Sequence, residues 1–477
     1  MNKAFLSDLL SAIGNRARIW RELSYNTSGS QTRDGAALCN DLLSRRGEVS
    51  GTTLARTILD YYAALDEAGR LRFFEMLATE FGPDPKKLES AVAARQGPMA
   101  RDSDIHFDSE PRRQELFRRL NRAPGGTNTL VLMREQLLAC LNSNADLTVV
   151  DRDFLHLFSS WFNRGFLVLR RIDWKTPANV LERIIQYEAV HAIGSWDDLK
   201  NRLQPRDRRC FAFFHPQLND EPLVFVEVAL TKTIPPTIGP LLSTDRPLIA
   251  PENASTAVFY SISNTQKGLS GVSFGSLLIK QVVEDLQSEF PHLKHFVTLS
   301  PLPGFAAWLK NERDNPDSKW IDPSWSADLD LIDELDWHND PVQNGIVQST
   351  LLTLAATYLA KAKTSNGRPA DSVARFHLGN GARLERLNFL GDPSPNGLLQ
   401  SHGIMVNYRY SLNEMQQNHE AYAERGFIAI SQEVLDYLRH PDGQSRSPER
   451  IGKWNFGRSA TLSRSRKSGA SRVLPND

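Results

Sequence analysis

Ser300 and His377 are the residues whose setting invites chemistry. Ser300 closes an apolar run, His295-Phe296-Val297-Thr298-Leu299-Ser300, and the chain turns at once through Pro301-Leu302-Pro303-Gly304. Proline fixes φ, so the turn is rigid and aims the serine hydroxyl in one direction. His377 lies in Arg375-Phe376-His377-Leu378, an apolar stretch that reads as a strand, just before Gly379-Asn380-Gly381. Imidazole titrates near neutrality and can serve as acid or base. A histidine in such a stretch is more often a satisfied structural residue than a catalyst, so neither residue alone names a reaction.

A second cluster reads as an anion site. Val258-Phe259-Tyr260-Ser261-Ile262-Ser263 has the content of a buried strand, and a glycine-punctuated turn, Gly268-Leu269-Ser270-Gly271-Val272-Ser273-Phe274-Gly275, follows it. Leu277, Leu278, Ile279, Val282, Val283 and Leu286 then recur at helical spacing. A helix start after such a turn offers free N–H groups and the positive dipole end, which suits a phosphate-bearing ligand. Ser300, at a neighbouring strand end, is placed to reach that ligand's reactive part. Gly271 to Gly275 also matches G-x-S-x-G, the serine elbow of α/β-hydrolases. That elbow needs the strand to run straight into the serine, and here Asn264 to Ser270 intervenes. The backbone-cradle reading, with Ser273 a bystander, therefore stands above a catalytic Ser273. Neither a Walker lysine–serine pair nor G-x-G-x-x-G is present, which argues against nucleoside triphosphatases and dinucleotide enzymes. A pyrophosphate held by amides without a metal remains, as in coenzyme A binding by acetyltransferase-like folds. The basic-x-x-Gly-x-Gly/Ala signature of that fold is not met cleanly.

These residues need elements to hold them. The first third is helical in pattern: Leu54, Ile58, Leu59, Tyr62 and Leu65, then Leu71, Phe74, Leu77 and Phe81, recur at three- and four-residue steps up to Gly82-Pro83. Residues 96 to 112 read as a loop, Thr127 or Asn128 as the cap of a helix through Leu141, and Val150 to Phe162 as another helix. From Phe166-Leu167-Val168-Leu169 the pattern changes to strands. Thr176-Pro177 reads as a capping residue before a helix. Cys210 to Phe214 and Leu223 to Leu230 read as paired strands, Asn344 to Ala362 as a helix, and Ser372 to Phe389 as a strand pair turning at Gly379-Asn380-Gly381. Met405 to Tyr410 reads as a strand and Ile428 to Leu438 as a closing helix. The mixture predicts an α+β chain: a helical region 1–164, a mixed-sheet region 165–440, and a Ser/Arg-rich tail 441–477 expected to be disordered.

Composition narrows the classes. Lys+Arg and Asp+Glu are equal at 56 each, so no global charge points to nucleic acid or membrane. Three scattered cysteines, Cys39, Cys140 and Cys210, fit a reduced compartment and neither a disulfide framework nor a zinc site. His292 and His295 lack a third ligand at suitable spacing and read as solvated loop residues, so no metal is expected. The longest apolar stretch, Leu351 to Ala360, is too short for a bilayer. Met1 to Trp20 has helical periodicity, but Asp8 interrupts any signal-peptide core. A mitochondrial presequence, suggested by Arg16, Arg18 and Arg21, is the lesser reading, and cytoplasm the expectation.

Five motifs in order resemble the malonyl-CoA decarboxylase family: Tyr260-Ser261-Ile262-Ser263, Gly268-Leu269-Ser270-Gly271-Val272, Leu299-Ser300-Pro301-Leu302-Pro303-Gly304-Phe305, Phe376-His377-Leu378-Gly379-Asn380-Gly381-Ala382 and Asn407-Tyr408-Arg409-Tyr410. The resemblance spans roughly residues 50 to 435. It implies a helical domain that organises an oligomer, commonly a tetramer, followed by an acetyltransferase-like (GNAT-type) catalytic domain. It further implies conversion of malonyl-CoA to acetyl-CoA and carbon dioxide through an enolate, with neither metal nor organic cofactor. By the same resemblance, Ser270, Gly271, Val272, Ser273, Phe274, Gly275 and Ser276 bind the CoA pyrophosphate. Ser300 and His377 are catalytic and contact substrate, and Tyr410 lies close by. Competing classes are a GNAT-type acetyltransferase, an α/β-hydrolase, and a helical scaffold that binds CoA without turnover.

Overall fold

The computed structural model describes residues 34–44, 48–94, 109–218, 220–272, 278–334 and 336–438. Residues 1–33, where the sequence suggests helical periodicity, most of the polar stretch 96–112, residues 273–277 of the glycine-rich segment and the tail from 439 lie outside the described residues.

The amino-terminal region is helical: α1 Gly35–Leu43, α2 Glu48–Ala63, α3 Glu67–Glu80, α4 Pro85–Ala94, α5 Arg112–Asn121, α6 Gly126–Cys140 and α7 Thr148–Trp161. A mixed-sheet region follows, with β1 Val168–Ile172, α8 Ala178–Tyr187, α9 Trp196–Leu203, β2 Arg208–Phe214, β3 Pro222–Thr231, β4 Thr256–Asn264, α10 Leu278–Glu289, β5 His295–Thr298 and β6 Ser300–Pro301. Then come α11 Phe305–Asp314, α12 Pro341–Lys361, α13 Ser372–Gly379, β7 Arg383–Asn388, β8 Met405–Tyr410, α14 Met415–Arg425 and α15 Gln432–Tyr437.

The strand order is β1-β2-β3-β4-β5-β8-β6, with β7 also paired to β8. Among the described strand pairs only β4 and β5 run parallel, which requires a crossover, and α10 supplies it. Every residue of β2 and β3 is buried because the sheet is covered on both faces. Alternation divides β2 between them. Phe211 and Phe213 join the core containing Phe154, Leu157 and Phe158 of α7, while Cys210, Ala212 and Phe214 pack with Val180, Leu181 and Ile184 of α8. The helical region is thus one layer of a three-layer packing, with α8 and α9 the opposite layer. This is the expected α+β architecture, a helical region followed by a mixed sheet.

The parallel pair opens where the chemistry is expected. The Leu299 N–H donates to the Phe259 carbonyl at 2.9 Å. Pro301 carries no N–H, so the ladder cannot continue by the same pattern. Beyond that point β4 stays with β3 out to Asn264, while β6 pairs with β8 through Ser300 opposite Val406. The two strands therefore part at their carboxyl ends.

Several elements differ from the sequence reading. Ser372 to Phe389 is a helix followed by a strand, not a strand pair, so His377 lies on α13. A four-residue stretch with two apolar side chains, Phe376 and Leu378, settles no period, and the deciding signal is Asp371, whose carboxylate accepts the Ala374 N–H at 2.8 Å as a helix cap. The turn at Gly381 joins that helix to the strand; its φ of +79° and a close approach to the Met415 carbonyl both require glycine. Thr176 does not cap α8: Pro177 occupies the cap position, and the Thr176 hydroxyl accepts the Asp173 N–H. Helix α6 starts one residue before Thr127, whose hydroxyl instead reaches Asn121. The closing helix begins only at Gln432, capped by Ser431, because Ile430 bridges Leu384 of β7. His295 belongs to β5 rather than a loop.

Candidate active site

Ser300, His377 and Tyr410 come from three separate elements and meet in one place. Ser300 Oγ lies 3.0 Å from His377 Nε2, and Tyr410 Oη lies 2.7 Å from His377 Nδ1. All three are buried, at 6%, 3% and 1% exposure. The imidazole stacks on the Tyr408 ring at a centroid separation of 4.5 Å. Tyr408 and Tyr410 can both face it because alternate residues of a strand share a face.

The hydrogen bonds assign the tautomer. Ser300 Oγ donates to Thr298 Oγ1 at 2.9 Å, and Thr298 Oγ1 also accepts the Tyr408 N–H at 3.0 Å and donates to the Val406 carbonyl at 3.5 Å. With its only proton on Thr298, Ser300 must accept from His377, so Nε2 carries the hydrogen and Nδ1 accepts from Tyr410. The reverse direction would leave the Tyr410 hydroxyl without an acceptor among the described residues. Asn407 steadies the far end, its amide donating to the Thr298 carbonyl at 2.6 Å. Burial pushes the His377 pKa down to about 3, so the imidazole rests neutral. Burial likewise raises the Tyr410 pKa, keeping its phenol protonated.

Thr298 was missed in the sequence, although its position two residues before Ser300 on a strand was a usable signal. Asp371 was missed as well. It caps the helix that carries His377, and burial raises its own pKa.

The strand gap forms a cavity of about 250 Å3 lined by Ser300, His377, Tyr260, Ile262, Val190 and Phe376. Asn264 and Phe376 also line a larger cavity of about 710 Å3, so the two adjoin. The larger one runs along Ser270, Gly271 and Val272, and its charged lining comes from Lys267 and Arg375, with no acidic residue among the described lining. In a chain of zero formal net charge this is a local bias toward an anionic ligand. Of the predicted pyrophosphate residues, Ser270, Gly271 and Val272 lie on this wall; Ser273, Phe274, Gly275 and Ser276 lie outside the described residues. Among the described residues no group of three or more His, Cys, Asp or Glu is placed to hold a metal. No helix among them is long and apolar enough to cross a membrane.

A buried serine–histidine–tyrosine set at the open end of a mixed sheet, beside a cavity, is an arrangement that suits an enzyme. Comparison with known proteins specifies which. The profile of the malonyl-CoA decarboxylase C-terminal domain matches residues 165–447, and that of the N-terminal domain matches residues 81–162. The mitochondrial malonyl-CoA decarboxylase of Anser anser anser is 33% identical over 467 residues, covering 88% of this chain and 92% of its own. That of Rattus norvegicus is 34% identical over 423 residues, covering 81% and 86%. Among solved structures, malonyl-CoA decarboxylase from Rhodopseudomonas palustris is 56% identical with a TM-score of 0.82, covering 86% of this chain and 100% of that one. The Agrobacterium vitis structure is 54% identical with a TM-score of 0.80, covering 85% and 99%. The chain belongs to the malonyl-CoA decarboxylase family, whose members are carboxy-lyases.

Proposed function

We propose that the chain decarboxylates malonyl-CoA to acetyl-CoA and carbon dioxide through an enolate, using Ser300, His377 and Tyr410 with neither metal nor organic cofactor. The observation that carries this reading is the continuous contact of the three side chains, 3.0 Å and 2.7 Å, in a cavity that adjoins the cationic one. The larger cavity suits the phosphate-bearing handle of CoA, and the strand gap suits the malonyl group.

Chemistry then follows from where electrons and protons go. Breaking the bond between the α-carbon and the carboxylate releases neutral carbon dioxide and leaves an electron pair delocalised onto the thioester oxygen. A carboxylate resists this when strongly solvated, so a dry cavity with one or two directed hydroxyls suits it better than an arginine clamp. On substrate binding Ser300 turns its hydrogen from Thr298 to the carboxylate or the nascent enolate. The α-carbon must then gain a proton, and His377 Nε2 supplies it. A substrate carboxylate beside the imidazole is an opposite charge and draws its pKa back up, so imidazolium is available as the enolate forms. Tyr410 accepts from Nδ1–H in that state and donates to Nδ1 in the resting one, keeping the ring oriented throughout. Water restores the proton after product leaves, giving a net uptake of one proton per turnover.

In the same reading the chain divides at residue 164 and near residue 440, the helical region assembles copies into an oligomer of the tetramer type, and the enzyme acts in the cytoplasm. The test is purified protein with malonyl-CoA alone, assayed for acetyl-CoA and carbon dioxide. An acetyltransferase would need an amine acceptor, a hydrolase would release free CoA, and a scaffold would bind without turnover. His377→Asn and Ser300→Ala should each lower kcat by about 100- to 1000-fold with little change in substrate affinity. Wild-type turnover in the His377 variant removes that residue from the mechanism.

A further inference from the structure

Arg134 of α6 reaches across from the helical layer into the turn that lines the larger cavity. Its guanidinium is buried and paired with Asp151 of α7 at 2.8 Å. Nη1 donates to the carbonyls of Gly268 and Ser270, at 2.9 Å and 2.7 Å. The same turn is pressed onto α6 at Gly268, where a Cβ would overlap the Val131 carbonyl. Leu155 of α7 lies beside Gly271, and Leu138 of α6 lines the larger cavity.

Peptide geometry gives this contact a consequence. The Ser270–Gly271 bond is trans, so its N–H points opposite to its C=O. With the Ser270 carbonyl on Arg134, the Gly271 N–H is directed away from α6, and Gly271 lines the cavity. Flanking amides are already used: Ser270 N–H donates to Lys267 and Val272 N–H to Leu269, each at 3.0 Å. Gly271 N–H has no partner among the described residues. Its φ of +78° is one that glycine adopts without strain.

We propose that Arg134 is a positioning residue for the substrate: by holding the Gly268 and Ser270 carbonyls it turns the Gly271 N–H toward a phosphate of CoA. The helical layer is therefore part of the acyl-CoA site. This rests on the decarboxylase reading for its substrate.

Arg134→Met and Arg134→Lys are compared with wild type for CoA binding by calorimetry, for kinetics on malonyl-CoA and on malonyl-pantetheine, which lacks the pyrophosphate, and for thermal unfolding. Arg134→Met should raise the CoA Kd and the malonyl-CoA KM by about 10- to 100-fold, with kcat within about threefold. Lysine, with a point charge in place of the fork, should fall between. On malonyl-pantetheine the variants should match wild type in kcat/KM, which a general loosening of the fold would not allow. An equal penalty on both substrates, or an unchanged CoA Kd, overturns the proposal. Should Arg134→Met fail to fold, the lysine variant decides by the same readings. Absence of turnover by wild type with normal CoA binding would instead defeat the decarboxylase reading and leave the Arg134 binding test intact.

Discussion

Protonation of His377 couples the site to the stability of the whole chain. The folded protein holds this imidazole at a pKa of about 3, against about 6.5 for an unperturbed histidine. Below pH 6.5 the unfolded chain binds a proton that the folded chain refuses, so stability falls as pH falls. His377's contribution is fully present above pH 6.5, declines by about 1.4 kcal/mol per pH unit below it, and is gone once the pH passes below about 3. At pH 5.0 the loss is about 2 kcal/mol, a large fraction of a typical stability of about 5–15 kcal/mol. Replacing His377 with glutamine removes this proton-linked part, and the lost contacts to Ser300, Tyr410 and Tyr408, being the same at both pH values, cancel in the difference. His191 and His402, which burial holds down to about 4, remain in both proteins and cancel in the comparison. The assay is urea unfolding of wild type and His377→Gln at pH 7.5 and pH 5.0, followed by tryptophan fluorescence. Wild type should lose about 2 kcal/mol more than the variant between the two pH values. Equal losses would mean that His377 titrates normally in the folded chain, and the claim of a neutral resting imidazole would fall.

Tyr410→Phe leaves His377 Nδ1 buried without a partner, a cost of about 1–3 kcal/mol. Turnover should drop by about 5- to 150-fold while KM holds, as steady-state kinetics would show; an unchanged kcat would detach Tyr410 from the site. Ser273→Ala should be mild, lowering kcat/KM by less than about tenfold, because the cradle works through its backbone. Abolished activity together with labelling of Ser273 by a serine-directed phosphonate would hand the site to hydrolase chemistry.

Local pattern determined much of this protein. Strands β2 to β5 were legible as largely apolar runs, and the crossover helix α10 because Leu278, Ile279, Val282, Val283 and Leu286 recur at helical spacing. Ser300 was legible because Pro301 and Pro303 constrain the backbone beside it, and Gly381 because its turn admits no side chain. The helix bearing His377 was not legible from Phe376 and its neighbours, since so short a stretch settles no period and the decision rests on the Asp371 cap. Tertiary structure alone decided the rest. The 3.0 Å approach of Ser300 to His377 joins residues 77 apart, and the hold of Arg134 on Ser270 joins residues 136 apart. Such contacts depend on how layers pack rather than on local preference. The sequence names the groups and their nearest neighbours; only the packed sheet and its helical cover set the direction of each proton and amide.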